Sequence, residues 1–221
     1  MNFNNFDFYK KYPLMIPHVG VRYHSAKTRV LVLGESHYLP ANSPAITPDD
    51  WYNGSEESLT KAEKEYIHTQ GVISNHIQDK NWKGYNLFQN LGASFKKFEP
   101  YAQGNPFEQL AFYNYFLRPA SHRISISQTK MDGQMAYDQF HQNIKILEPD
   151  LVIFSSVRAS GSFQYNKKKR GDSDPSVKVD FVPHAGMAWW NRKTKRYEFE
   201  GDKKAHTGRE KFELILGKYL K

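Results

Sequence analysis

Two short segments hold side chains suited to act on a substrate. One is GESHY, residues Gly34, Glu35, Ser36, His37 and Tyr38, directly after an apolar run; the other is Pro183, His184, Ala185 and Gly186, after a second such run. A carboxylate and an imidazole together suit proton transfer and the steadying of developing charge. Asn114, inside the aromatic run AFYNYFL, adds an amide that offers both a donor and an acceptor. Several chemistries draw on such groups. A nucleophile elbow would use Ser36 with His184 as base, but the second glycine of G-x-S-x-G is missing and Tyr38 stands where that turn needs a small residue. A metal hydrolase would use Glu35, His37, His184 and His206, which are suitable ligand types without a diagnostic spacing.

These residues need a scaffold that brings separate strand ends together. Residues 30–33 (VLVL) are branched and apolar without alternation, the pattern of a strand covered on both faces of a parallel sheet, and Gly34 ends the run. Ligands of open α/β sheets bind beyond the carboxyl ends of the strands, so Glu35 to Tyr38 are expected at the mouth of a crevice. Further strands are expected within residues 107–117, at 151–154 (LVIF) and at 177–182. Helices are expected at 58–68, capped by Ser58 or Thr60 and continuing over 72–77, and from Tyr85, where Leu87, Phe88, Leu91, Phe95 and Phe98 recur three and four apart. Two more cover 133–147 and 207–220. The alternation of strand and helix implies an α/β fold, a three-layer sandwich around a central, mostly parallel sheet of about four strands.

A chain of 221 residues suits one domain over 1–221. Residues 1–28, rich in aromatics and interrupted by Pro13 and Pro17, read as an irregular extension packed across the surface. Residues 39–83 read as an inserted loop and helix segment, with a long loop to Gly54 and a surface or lid helix after it. The absence of cysteine excludes disulfides, thiolate metal sites and iron–sulfur clusters. No metal or other cofactor is expected. No apolar run approaches the roughly 20 residues of a membrane span, and the N-terminus lacks the order of a signal peptide, so a cytoplasmic protein without a membrane partner is expected.

The net charge of +8 is uneven: residues 1–157 hold 15 basic and 15 acidic residues, whereas 158–221 hold 16 basic and 8 acidic, which accounts for the excess. Such a flank favours a polyanion. Its densest part, Lys167, Lys168, Lys169 and Arg170, reads as a mobile loop.

The order LVLGESHY, an aromatic strand with an Asn before RP, a helix leading into LEPDLVIFSS, and VPHAG resembles the uracil-DNA glycosylase superfamily across residues 29–190. One class of that superfamily has GQDPY after its first core strand and another has GEAPG; Gly34 and Glu35 match the second form, and Tyr38 the tyrosine of the first. HAG at 184–186 stands where the superfamily has HPS, and Asn114 with FLRP at 116–119 resembles the Asn shortly before C-R-P of the GEAPG class. The departures are as definite. The Asp of GQDPY, which activates water, falls on Ser36, the Pro of both motifs falls on His37, and the cluster cysteines of the GEAPG class are missing.

The resemblance implies a uracil-DNA glycosylase-like fold and hydrolysis of the N-glycosidic bond of uracil or another damaged base, with DNA as partner. Glu35 would orient water or steady the sugar cation, His184 would donate to the departing base, and Asn114 would read a base edge, unless it instead satisfies a buried backbone group. Gly34, Ser36, His37, Tyr38 and Tyr85 would line the base pocket, the tyrosines by stacking. Met187, Trp189 and Trp190 would wedge into a duplex, with Arg192 and the 167–170 run on phosphate. Replacement of the activating Asp by Ser36 keeps open a catalytically idle nucleic-acid or nucleotide binder of the same fold.

Overall fold

Apolar strands and amphipathic helices alternate along the chain. In the computed structural model, which describes residues 2–81, 85–173 and 175–220, the order is α1 (Asp7–Lys11), β1 (His18–Val19), β2 (Val30–Gly34), α2 (Pro48–Asn53), α3 (Lys61–Ile67), α4 (Thr69–Gln78), α5 (Tyr85–Phe95), β3 (Ala111–Asn114), α6 (Lys130–Leu147), β4 (Leu151–Ser155), α7 (Val157–Arg170), β5 (Lys178–Val182) and α8 (Gly208–Tyr219). One sheet runs β1-β3-β2-β4-β5, parallel from β3 to β5, with β1 antiparallel at its edge.

The unbroken apolar runs are explained by cover on both faces. Val30, Val32, Phe112 and Ile153 pack with Phe88, Leu91 and Phe95 of α5 and with Phe212 and Ile215 of α8. Leu31, Leu33, Tyr113 and Phe154 face the other way, among Phe140 of α6, Phe163 of α7 and the N-terminal Tyr9 and Tyr12. The result is an α/β three-layer sandwich. The chain passes from β2 to β3 through α5 on one face and returns across β2 to β4 through α6 on the other, as crossovers of one hand require. The order therefore reverses between β2 and β4, and a ligand crevice is expected beyond their carboxyl ends.

Residues 1–28 are not an outer wrapping where they are described. Tyr9, Tyr12 and Tyr23 are buried, Tyr12 stacks on Trp51 at 4.1 Å, and β1 extends the sheet by pairing His18 with Phe112. Within the expected insertion the long loop contains α2, whose Trp51 is buried; Trp82 and Lys83, its last two residues, lie outside the described residues. The expected strand over 107–117 is shorter, because Pro106–Glu108 forms a helical turn capped by the Asn105 side chain.

The run Lys167 to Arg170 is corrected from a mobile loop to the last turn of α7. Ser156 caps the start of this helix, Gly171 ends it in the left-handed conformation (φ 68°), and cations in a last turn oppose the helix dipole. Arg170 is held by Asp138 and lies 5.0 Å over the ring of Tyr137.

Candidate functional site

Gly34, at the end of β2, pairs in register with Asn114 at the end of β3. A Cβ at Gly34 would lie 2.1 Å from Asn114 Oδ1, so the amide occupies the space that a larger residue would fill. Beyond Gly34 the ladder continues through the Glu35 carbonyl, which accepts from the Phe116 N–H at 2.9 Å. Glu35 points toward the next strand. Its Oε2 accepts from Ser156 Oγ at 2.8 Å, and its Oε1 lies 3.8 Å from Arg158 Nε at the start of α7.

The turn after β5 is anchored from two sides, by Ser155 and Asn90, and closed by a bond of its own. Ala185 N–H donates to Ser155 Oγ at 3.4 Å, Asn90 of α5 donates to the Ala185 carbonyl at 2.7 Å, and Met187 N–H donates to the His184 carbonyl at 3.0 Å. Gly186 N–H donates to His184 Nδ1 at 3.1 Å. This bond needs a lone pair on Nδ1, which leaves the proton of a neutral ring on Nε2. Burial holds the His184 pKa below the usual imidazole value, against the opposing pull of the Glu35 charge. At pH 7 the ring is neutral and Nε2–H is a donor.

His184, Asn114, Ser36, His37 and Tyr38 line one cavity of about 600 Å³, within the range of small-ligand sites. His37 is buried, with Nε2 3.2 Å from Thr69 Oγ1 at the start of α4. Tyr38 is half-buried, and burial followed by the Glu35 charge pushes its phenol pKa up. Leu87, Phe88 and Phe112 add apolar surface, while Glu65, Tyr66 and Asp79 bring the 39–83 segment into the wall. The carboxylate of Glu35 and the ring of Tyr85 are not part of the lining.

The remaining expected site residues lie elsewhere. Met187 and Trp189 are exposed, at 61% and 49%, and Arg192 is exposed with them. Trp190 is corrected: it is fully buried, 5.6 Å from the ring of Phe212, and is a core residue rather than a wedge. Lys167 to Arg170 are separated from the crevice by the length of α7, whose 14 residues span about 20 Å. Ser36 has no hydrogen bond to His184 among the described residues, and His206 lies beside Asp202 outside the cavity lining. Among the described residues no three His, Cys, Asp or Glu side chains are grouped as a metal ion would need.

Sequence reading missed Ser155 and Ser156, although two serines between a buried strand and a helix are a capping signal. It also passed over Arg118 as a binding residue of a different kind. Arg118 Nε and Nη2 donate to Asp132 at 2.9 and 2.7 Å, and the same guanidinium donates to the Ile46 and Ser127 carbonyls at 3.0 Å. It ties together the loops on either side of β3's exit.

Fold and site define an α/β protein with a ligand cavity at the carboxyl edge of its sheet. No family model and no curated protein matches the chain.

Proposed function

We propose that this chain is a divergent member of the uracil-DNA glycosylase superfamily that hydrolyses the N-glycosidic bond of uracil or another damaged base in DNA. The observation that supports this reading is the gathering of Asn114 and a neutral, donor-bearing His184 on one cavity, with the Glu35 carboxylate close enough to act on the imidazole. As the C1′–N bond breaks, positive charge develops on the sugar and the bonding pair leaves with the base. Water's oxygen bonds to C1′, and the proton that water loses balances the one that the base gains. Nε2–H of His184 donates to a base oxygen as negative charge builds there, Asn114 pairs with a base edge, and the Glu35 carboxylate, outside the lining, favours the sugar cation through its charge rather than by contact. Met187, Trp189 and Arg192 face the nucleic acid. A cytoplasmic location accords with a cysteine-free chain.

The placement of Glu35 favours a second reading. Its carboxylate is held by Ser156 and Arg158, and Ser36 stands where an activating Asp is needed, so an idle nucleic-acid or nucleotide binder fits the same cavity. Base release from uracil-containing single- and double-stranded oligonucleotides, measured for the wild type, Glu35→Ala and His184→Ala, separates the two. Glycosylase action requires release that falls by roughly a hundredfold or more in His184→Ala, as for loss of a charge-stabilising donor. Binding without release supports the idle binder.

A further inference from the structure

The cavity is larger than a flat base requires, and its lining holds charges of both signs. Arg123, in the loop after β3, lines it and is exposed, with φ at 59°, a backbone conformation that residues other than glycine seldom adopt. No hydrogen-bond or ion-pair partner engages its guanidinium among the described residues. The loop itself is fixed: Arg118 donates to the Ser127 carbonyl, and Thr129 and Asp132 cap the helix that follows. A free guanidinium on a fixed loop at a cavity mouth is suited to an anion such as phosphate.

Two carboxylates line the same cavity, Glu65 from α3 and Asp79 at the end of α4. A second strand would add phosphate charge beside a lining that already holds these two carboxylates, and like charges repel. A single nucleotide adds one phosphate, with Arg123 on the same lining to pair it. His184 and Asn114 on this lining offer contacts for a base, and Arg123 on the same lining offers one for a phosphate.

Resting on the base-excision reading, we infer that the site takes an unpaired nucleotide, within a single strand or free, and that Arg123 holds its phosphate. The test follows binding by fluorescence anisotropy and base release for the wild type, Arg123→Gln and Arg123→Lys. Three probes are used: a uracil-containing single strand, the same strand annealed to its complement, and deoxyuridine monophosphate as competitor. The single strand is expected to bind about tenfold or more tighter than the duplex. Arg123→Gln should weaken single-strand binding by about tenfold, the worth of one charged hydrogen bond, and Arg123→Lys should recover part of it. Competition by the mononucleotide at similar concentration identifies the free nucleotide as sufficient; failure to compete while the Arg123 effect persists places the nucleotide in a strand.

Equal processing of duplex and single strand, or unchanged binding in Arg123→Gln, overturns this inference and leaves base excision standing. Arg123-dependent binding of the single strand without release supports the inference and overturns base excision. Absence of binding to all three probes overturns both.

Discussion

Replacing Asp132 by Asn should unfold the protein at a markedly lower temperature, although Asp132 touches no part of the cavity. Its carboxylate is fully buried and accepts from Arg118 Nε and Nη2, Tyr52 OH at 3.0 Å, Thr129 N–H at 2.8 Å and Thr129 Oγ1 at 3.0 Å. Asn keeps the shape and loses the charge, leaving the guanidinium of Arg118 nearly buried without a counterion. Removing one partner of a buried pair costs about 3–5 kcal/mol. For a chain of this size each kcal/mol lowers Tm by about 2–4 °C, so a fall of roughly 6–20 °C is expected at neutral pH. The pH dependence adds a signature. Burial pushes the Asp132 pKa up, but the hydrogen bonds from Arg118, Thr129 and Tyr52 outweigh it and hold the group below its ordinary value of 3.8. A carboxyl with a depressed folded pKa contributes stability that is present above the unfolded value and lost as pH falls through the folded one. The Tm gap between wild type and Asp132→Asn should therefore be full at neutral pH and close below about pH 4. A gap of under about 2 °C at neutral pH, or one that is constant into acid, would refute the reasoning.

Two further outcomes follow from the site. Gly34→Ala sets a Cβ 2.1 Å from Asn114 Oδ1 and 3.0 Å from Phe112 Cζ, so the amide must move; a loss of about 1–3 kcal/mol in denaturant unfolding and a roughly hundredfold loss of base release are expected, and full activity would show that Asn114 is not where the chemistry needs it. His184 has its pKa lowered chiefly by burial, so the folded state resists the proton that the unfolded chain accepts near pH 6.5. The stability of the wild type relative to His184→Gln should fall as pH drops from about 7.5 to 5, and a difference indifferent to pH over that window would contradict a neutral ring.

The strands and the principal helices were legible because each has a strong local signal: the unalternating VLVL and LVIF runs, and Leu87, Phe88, Leu91 and Phe95 on one helical stripe. What sequence could not yield was set by partners far along the chain. Tyr12 reads as surface aromatic until Trp51 is laid against it, and Trp190 as an exposed wedge until α8 brings Phe212 over it. The KKKR run has the composition of a loop, yet the Ser156 cap and the Gly171 terminus decide for helix. That Asn114 and His184 would face one cavity was legible because strand ends in a parallel sheet share one edge. Glu35 was legible as a residue beside the site but not in its orientation, which depends on Ser156 and Arg158, more than a hundred residues away. Arg123 had no local signal at all, since a lone arginine in a polar loop becomes distinctive only when the cavity beside it is seen.

The separation of Glu35 and His184 has a structural cause. Glu35 leaves β2 and His184 leaves β5, and β4 lies between these strands. Two strand spacings put the strand ends about 10 Å apart, too far for the backbone alone to bring a carboxylate and an imidazole together. The two residues at the end of β4 bridge the gap from either side: Ser155 Oγ accepts from Ala185 N–H in the His184 turn, and Ser156 Oγ donates to Glu35. Adjacent residues at a strand end present their side chains in opposite directions, so a single serine could not hold both neighbours. The pair also starts α7, and Ser156 accepts the Ala159 N–H while it donates to Glu35, which ties the position of the carboxylate to the helix as well as to the sheet. The distance between Glu35 and His184 is thus a property of the β4 exit, and Asn114 is set independently, on the other side of β2, by the space that Gly34 leaves.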